Sequence, residues 1–457
     1  MPAGALASSL HLATPHLARG ATPVSLLVIR DVRVFDGVSD RAIELASVIV
    51  EGARIREVVV GTGRPPRDAR VIEGRGGTLL PGFIDMHSHL VSELGARLYL
   101  ANGVTTVRFA GNDPDAVLGL REAIESGRVP GPRVFSLGPL LDGVSPDYPA
   151  MSWPLYSATE ARLAVQRLKA DYRVDGIILT QKPALEVARA AVDEAHRLGI
   201  GVTGQTWSLT AREAVALGYD GLENTSRLPE APGALPEAAL LRYRTIPERS
   251  AMLGLLWARA DTGRLERLGH QMLKYETYLV PTLSGMDGML GRYTPRIHRD
   301  GDTRRLPASA REDLRAWLGQ RFFGAAWTPR DFANWARGRA RYHRFIRDYA
   351  RLGGRVLVGT DALKLCAGFL FHEELDRLRA CGLSNAAVLR GATAAAADTL
   401  GRPDLGRIAP GAQADLVLVD GDPLRRLADA RAVRAVVVRG RLLERDTVLP
   451  RPRARAG

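Results

Sequence analysis

The sequence predicts an α/β protein, a (β/α)8 TIM barrel joined to a small composite β-sandwich formed by both chain ends. Three observations carry this expectation. Short β-branched runs cluster at two distant places in the chain. Between them, apolar runs ending in small or polar residues alternate with helical stretches, and those helices carry explicit start and stop signals. At 457 residues and 46% hydrophobic composition, the chain has material for one large barrel and an accessory piece.

Residues 1–23 read as a flexible tail. They lack a basic start before their apolar stretch and are interrupted by Pro15, which argues against a cleaved signal peptide. SLLVIRDVRVFDG and ASVIVEGARIREVVVG then show the pattern of antiparallel strands, and GAQADLVLVDGDP with RAVRAVVVRGRLLERDTVLP repeats it. Residues 24–76 and 403–448 are therefore expected to pair into one sandwich. Residues 77–402 hold the barrel. LLPGFIDMHSHL opens it, and VTTVRFAG, PRVFSLGPLL, DGIILTQ, GVTGQTW, DGLENTS, YLVPTLS and RVLVGTD complete eight βα-type units. The active site then belongs at the C-terminal ends of those strands. Ser157 with Glu160 spells a capping box ahead of ARLAVQRLKADY, and ALEVARAAVDEAHRL stops at Gly199, a residue suited to a left-handed cap. The stretch 227–351 is longer than a barrel unit requires, and its excess is expected as helical insertions forming a lid over the mouth.

Basic residues outnumber acidic ones by 63 to 50, a net charge of +13. Only four are lysines (Lys169, Lys182, Lys274 and Lys364), and the arginines are spread along the whole chain. A nucleic-acid footprint needs clustering on one face, so the spread argues against that partner. Cys366 and Cys381 cannot make a disulfide framework, and no zinc-knuckle spacing accompanies them. No apolar run approaches the roughly 20 residues that cross a bilayer. These features lead to an expectation of a cytoplasmic protein acting on a small molecule, with no membrane or nucleic-acid partner and a homo-oligomeric state left open.

The sharpest local signal is PGFIDMHSHL. His87 and His89 stand two apart at a strand end, so both imidazoles face the same way and can reach one ion. Far downstream, VLVGTDA ends a strand on Asp361. Here the chain resembles the amidohydrolase superfamily, in its imidazolonepropionase, dipeptidase and ochratoxinase-like branch. The resemblance runs from about Leu27 to Leu443, through LLPGFIDMHSHL, NGVTTVRFAG, VDEAHRLGIGV, VLVGTDA, HEELDRLRACGLSNAAVLRGAT and LGRIAPGAQADLVLVDGDP. It implies a metal-bearing barrel with a composite β-sandwich. It also implies a lysine on the fourth strand and one histidine each on the fifth and sixth, and here Ile178, Gln205 and Asn224 occupy those places. An aliphatic chain cannot ligate and amide oxygens replace imidazole poorly, so a binuclear centre is not expected.

The catalytic candidates are Asp361, His87 and His89. The leading expectation is an amidohydrolase-fold enzyme with no metal cofactor, whose acid–base pair performs cyclisation, dehydration, isomerisation or elimination on a small polar molecule. The alternative is a mononuclear hydrolase of an amide, cyclic amide or ester, with His87, His89 and Asp361 holding one divalent ion such as zinc. A third reading is a non-catalytic small-molecule binding protein. Lys182 and Arg108 are candidates for anionic substrate groups, or else a loop lysine and an ordinary ion pair. Gln205 and Asn224 offer uncharged hydrogen bonds, and Trp207 is a candidate pocket wall. Glu223, His196 and His372 read as structural, whereas His270, His298 and His343 lie in the expected insertions, where any one could join the site.

Overall fold

The computed structural model describes residues 26–61, 63–89, 91–180, 182–224, 246–284, 306, 308, 311–312, 327–362 and 368–449. The expected tail 1–23, His298, Lys364 and Cys366 lie outside them.

Both chain ends meet in one sheet. Strands β1 (Leu26–Val34), β2 (Ile43–Glu51), β3 (Arg54–Val60) and β4 (Arg70–Pro81) come from the N-terminal side. Three C-terminal strands, Leu416–Val419, Val433–Val438 and Arg441–Glu444, extend the same sheet beyond β4. The first of them runs antiparallel to β4, Leu416 opposite Pro81, while β1 pairs parallel with β4. Alternation puts Val32, Val48, Val50, Ile55, Leu79, Leu416 and Leu418 into a core of the sheet's own. Strand β4 continues to Pro81, past the expected boundary at 76, and only Gly82 separates it from the first barrel strand. A side chain at Gly82 would collide with Thr105 Oγ1 at 2.0 Å, so glycine is required for this close passage.

The barrel strands are β5 (Phe83–Ser88), β6 (Val104–Phe109), β7 (Arg133–Ser136), β8 (Leu140–Asp142), β10 (Gly176–Leu179), β11 (Gly201–Gly204), β12 (Gly221–Glu223) and β13 (Tyr278–Val280), with β9 (Ser152–Pro154) flanking β8. β7 and β8 are one strand interrupted at 137–139, bridged to its neighbour where the Asp175 amide donates to Ser136 O at 2.8 Å. Residues 355–362 close the ring. Val356 bridges Leu279, Ala362 bridges Ser88, and the Met86 amide donates to Val358 O at 2.9 Å. Every residue of β5 and β6 is buried, as strands covered on both faces must be.

Local signals act largely as read. Ser157 Oγ accepts the Glu160 amide at 3.2 Å. The Glu160 carboxylate, however, takes the amide of Tyr156 rather than that of Ser157, so the reciprocal half of the box is offset by one residue. Gly199 has φ +67°, the expected left-handed cap.

The lid expectation is corrected for the described part of the stretch. Helix Thr262–Lys274 leads directly into β13, and helix Pro329–Arg351 leads into the eighth strand, so both belong to the outer ring. The second buries Trp335, Tyr342, Phe345, Ile346 and Tyr349 along one face and is opened by a Thr328–Asp331 capping box. Helix Ile246–Arg259 packs against it, with Trp335 Nε1 donating to Ser250 O at 2.9 Å. His270 is exposed on the first of these helices, and His343 lies on the second beside Tyr342; neither is on a lid. Among the described residues, no helix is long and apolar enough to cross a membrane.

Sheet and barrel are joined at Asp415, which is 3% exposed. Its carboxylate accepts Arg133 Nε and the Arg439 amide, both at 2.6 Å, and its carbonyl accepts the Gly82 amide at 2.7 Å. Replacing Asp415 by alanine takes the carboxylate from the Arg133 guanidinium, which keeps only Gln413 Oε1, and from the part-buried Arg439 amide. The expected loss of unfolding free energy in urea is about 3 kcal/mol; a loss below about 1 kcal/mol would place the joint elsewhere.

Candidate metal-binding and catalytic site

Alternation along β5 points Asp85 and His87 into the barrel, and His89 follows on the same side at the strand's C-terminal end. Asp85 is buried. Its Oδ1 accepts the amides of His87 (3.2 Å) and Thr360 (3.1 Å), and its Oδ2 accepts the Thr360 hydroxyl at 2.8 Å. Burial pushes this carboxyl up to about 7 despite those donors. Asp85 thus ties the first strand to the eighth directly beneath the histidines. Gly359 makes the same contact possible, since a Cβ there would lie 2.9 Å from His87 Cβ and 2.4 Å from Val280 Cγ1.

His87 Nδ1 donates to Glu223 Oε2 at 2.7 Å. On its other side, His87 Nε2 lies 3.2 Å from His89 Nε2 and 3.5 Å from Asp361 Oδ1, and His89 Nε2 lies 2.9 Å from the same oxygen. Asn224 Nδ2 donates to Asp361 Oδ2 at 3.1 Å. Asn224 and Asp361 both have φ +54°, a left-handed conformation that non-glycine residues adopt at a cost and that Asn and Asp tolerate best. That backbone turn at the two strand ends brings Asn224 onto Asp361.

The arrangement has a simple electrostatic consequence. With its Nδ1 proton committed to a carboxylate, a neutral His87 presents a bare Nε2 lone pair. That lone pair, His89 Nε2 and Asp361 Oδ1 crowd one point, and a single proton can satisfy only one of the three contacts. A cation at their centre satisfies all three. Tetrahedral ligation with bonds of 2.0–2.1 Å requires ligand atoms about 3.4 Å apart, close to the 2.9–3.5 Å seen here. The residues therefore fit one divalent ion, with Glu223 orienting a ligand through its far nitrogen. The same demand for positive charge shows in the ionisation of the group. Burial opposes the charged form of His87, but Glu223 and Asp361 raise it to about 10. Burial likewise opposes the Asp361 carboxylate, yet His87 and His89 hold it far below the usual range.

Asp361, His87, His89 and Asn224 are thus brought together. Arg108 is not at the mouth: it is buried below the histidines, ion-paired to Glu223, donating to Tyr278 OH at 2.7 Å and to Met86 O at 2.6 Å. It is the ordinary ion pair of the two readings, moved from the rim to the interior because an unpaired buried guanidinium is too costly. Lys182 is also outside the cluster. Its amide already bonds back to Thr180 O, so the strand has ended and alternation no longer aims the side chain; its ammonium reaches Ser145 O and Asp147. Gln205 follows the last residue of β11, with Oε1 buried and without a hydrogen-bond partner among the described residues. Trp207 is half-buried against the main core. Ile178 is fully buried with Ala110, Leu137 and Leu140, an apolar setting with no ligand to offer. His372 is buried, its Nε2 donating to Asn102 O at 3.1 Å, and His196 pairs with Asp220 on the surface, both away from the cluster.

Glu223 is the residue that sequence reasoning undervalued. Its carboxylate takes His87, Arg108 and the Thr203 hydroxyl at once, and Arg108 and His87 hold it low against burial. A signal existed: Arg108 and Glu223 occupy inward positions of barrel strands, where opposite charges must pair.

Residues 336–443 match the Amidohydrolase family. A segment of 131 residues is 39% identical to an adenine deaminase of Deinococcus deserti, and one of 121 residues is 35% identical to an adenine deaminase of Deinococcus radiodurans. These cover 27% and 25% of this chain, so the chain spans only about a quarter of those relatives' lengths, 23% and 22%. Among solved structures, a Xaa-Pro dipeptidase with bound methionine superposes over 92% of this chain and 100% of its own, with a TM-score of 0.68 at 22% identity. Ochratoxinase of A. niger superposes over 92% and 96%, with a TM-score of 0.65 at 16% identity. At those identities the likeness is one of fold. The chain thus shares its barrel fold with these structures, and residues 336–443 carry the match to the Amidohydrolase family.

Proposed function

We propose that this chain is a hydrolase of an amide, cyclic amide or ester that works with a single divalent ion held by His87, His89 and Asp361. The observation that carries the reading is the convergence of three lone-pair atoms within 3.5 Å of one another, with no single proton able to satisfy them. This favours the mononuclear alternative over the metal-free acid–base enzyme that the substituted strand positions first suggest. The buried Ile178 and the uncharged Gln205 and Asn224 support one ion rather than two.

When bound, such an ion supplies Lewis acidity, polarising a carbonyl and acidifying water. The chain's own groups have separate tasks. Glu223 keeps the His87 Nδ1 proton and so turns Nε2 toward the mouth. Asn224 Nδ2 holds Asp361 Oδ2, fixing the carboxylate plane. Asp361 is the carboxylate at the mouth suited to receive the proton of an attacking water and to pass it to the leaving nitrogen or oxygen.

Elemental analysis of protein purified without chelator or added metal is expected to give one divalent ion per chain; two stoichiometric ions would overturn the assignment. Hydrolysis, screened over dipeptides, N-acyl amino acids, cyclic amides and esters, should disappear on exhaustive chelation and return with zinc. Activity that survives chelation would restore the metal-free reading. Asp361→Asn should lower kcat by roughly a hundredfold or more while the protein stays folded.

Glu223→Gln should weaken zinc binding about 10- to 100-fold in a competition titration. Unchanged affinity in a variant with a native circular-dichroism spectrum would remove Glu223 from the metal's support.

A further inference from the structure

A second polar feature lies at the same strand ends, on the arc formed by β8, β10 and β11. In register, Leu140 of β8 stands opposite Ile178 of β10, Leu141 opposite Leu179, and Leu179 opposite Gly204 of β11. The pairing continues past the strand ends, with the Thr180 amide on Leu141 O at 2.9 Å and the Gln205 amide on Leu179 O at 3.0 Å. Leu140 and Ile178 share one interior cluster, and Thr203 reaches Glu223 inside the barrel. Two residues farther along each strand, Asp142, Thr180 and Gln205 form the next inward layer toward the mouth.

This layer is short of positive charge, and the Thr180 hydroxyl is the side-chain donor beside Asp142. Asp142 is 1% exposed. Its Oδ1 accepts the amides of Gly143 and Lys182, both at 2.8 Å, whereas its Oδ2 has no hydrogen-bond partner among the described residues. No ion pair reaches Asp142 among those residues, because the nearby ammonium of Lys182 is spent on Ser145 O and Asp147. Gln205 Oε1 and, on the next strand, Asn224 Oδ1 are likewise buried acceptors without partners. A buried carboxylate with no charged partner among the described residues is expensive, and neighbouring unpartnered acceptors add to the deficit. The complement is a positively charged group rich in N–H donors.

We propose that the Asp142–Thr180–Gln205 ledge binds a protonated nitrogen group of the substrate, an amine, amidine or guanidine, placing its scissile bond toward His87, His89 and Asp361. The assignment of the ledge to substrate rests on the hydrolase reading above, but binding of the cation does not require turnover. Asp142 Oδ2 supplies the charge, Gln205 Oε1 and Asn224 Oδ1 supply further acceptors, and the apolar floor of Leu140 and Ile178 takes an adjoining alkyl segment. The hydrolase would then select cationic substrates over neutral ones of the same shape.

Isothermal titration of the full chain with n-butylguanidinium, and with n-butylurea as its uncharged counterpart, tests this directly. The guanidinium is expected to bind at least roughly tenfold tighter than the urea, the difference that one charge-assisted hydrogen bond supplies. Asp142→Asn should remove most of that preference, and Gln205→Glu, which adds a carboxylate to the ledge, should strengthen it. Should Asp142→Asn lose its cooperative melt, the Gln205→Glu comparison decides alone. Equal binding of the two probes by the native chain, or a preference that neither substitution moves, would overturn the proposal. Repeating the titration after chelation separates the two readings. Cation binding that persists without metal upholds the ledge even if no metal-dependent hydrolysis is found, and metal-dependent hydrolysis by a native chain that binds the two probes equally overturns the ledge alone.

Discussion

The buried carboxylate of Glu223 is the point on which the site depends. It stands inside a closed barrel, out of water, and is stable as an anion only because Arg108, Thr203 and His87 converge on it. An ion pair at that depth costs desolvation and returns it only when every donor is in place. Four different barrel strands, with Arg108 bonded to Tyr278 of a fifth, are therefore locked to one charge. His87 inherits its orientation and tautomer from this arrangement, and through His87 the mouth of the barrel inherits its demand for a cation.

Barrel closure serves the same end. The eighth strand is a short, irregular segment that pairs with both β13 and β5, and it delivers Asp361 on a left-handed backbone turn beside the two histidines. Asp85 fastens that segment from below, and Gly359 lets it approach His87 closely. The terminal sheet, joined at Asp415 and running without a linker from β4 into β5, sets where the first strand enters.

Much of this was legible in the chain. The apolar runs of the barrel strands read as strands because they are covered on both faces, and β-branched runs at the two ends read as partners because neither can bury its apolar face alone. HxH at a strand end and a distant strand-terminal aspartate read as one cluster because a divalent ion takes several such ligands. The helical stretch before the eighth strand was harder. Its length suggested a lid, yet its tryptophan- and tyrosine-bearing face meets the adjacent helix Ile246–Arg259 and packs in the main core. Periodicity identifies an amphipathic helix without saying which surface it covers.

Residue type and spacing pointed to the fold class and to the His87–His89–Asp361 set, and the resemblance to the amidohydrolase superfamily implied that Ile178, Gln205 and Asn224 stand at further ligand positions. Only the tertiary structure decided what those groups face. Alternation predicts an inward direction within a strand, but it fails one residue beyond the strand's end, as at Lys182, and it is overridden by a left-handed φ, as at Asn224. Nor can a linear pattern show which buried charges find partners, because pairing across a barrel depends on strand register and depth. Arg108 met Glu223 inside the barrel, whereas Asp142 met no charged partner among the described residues.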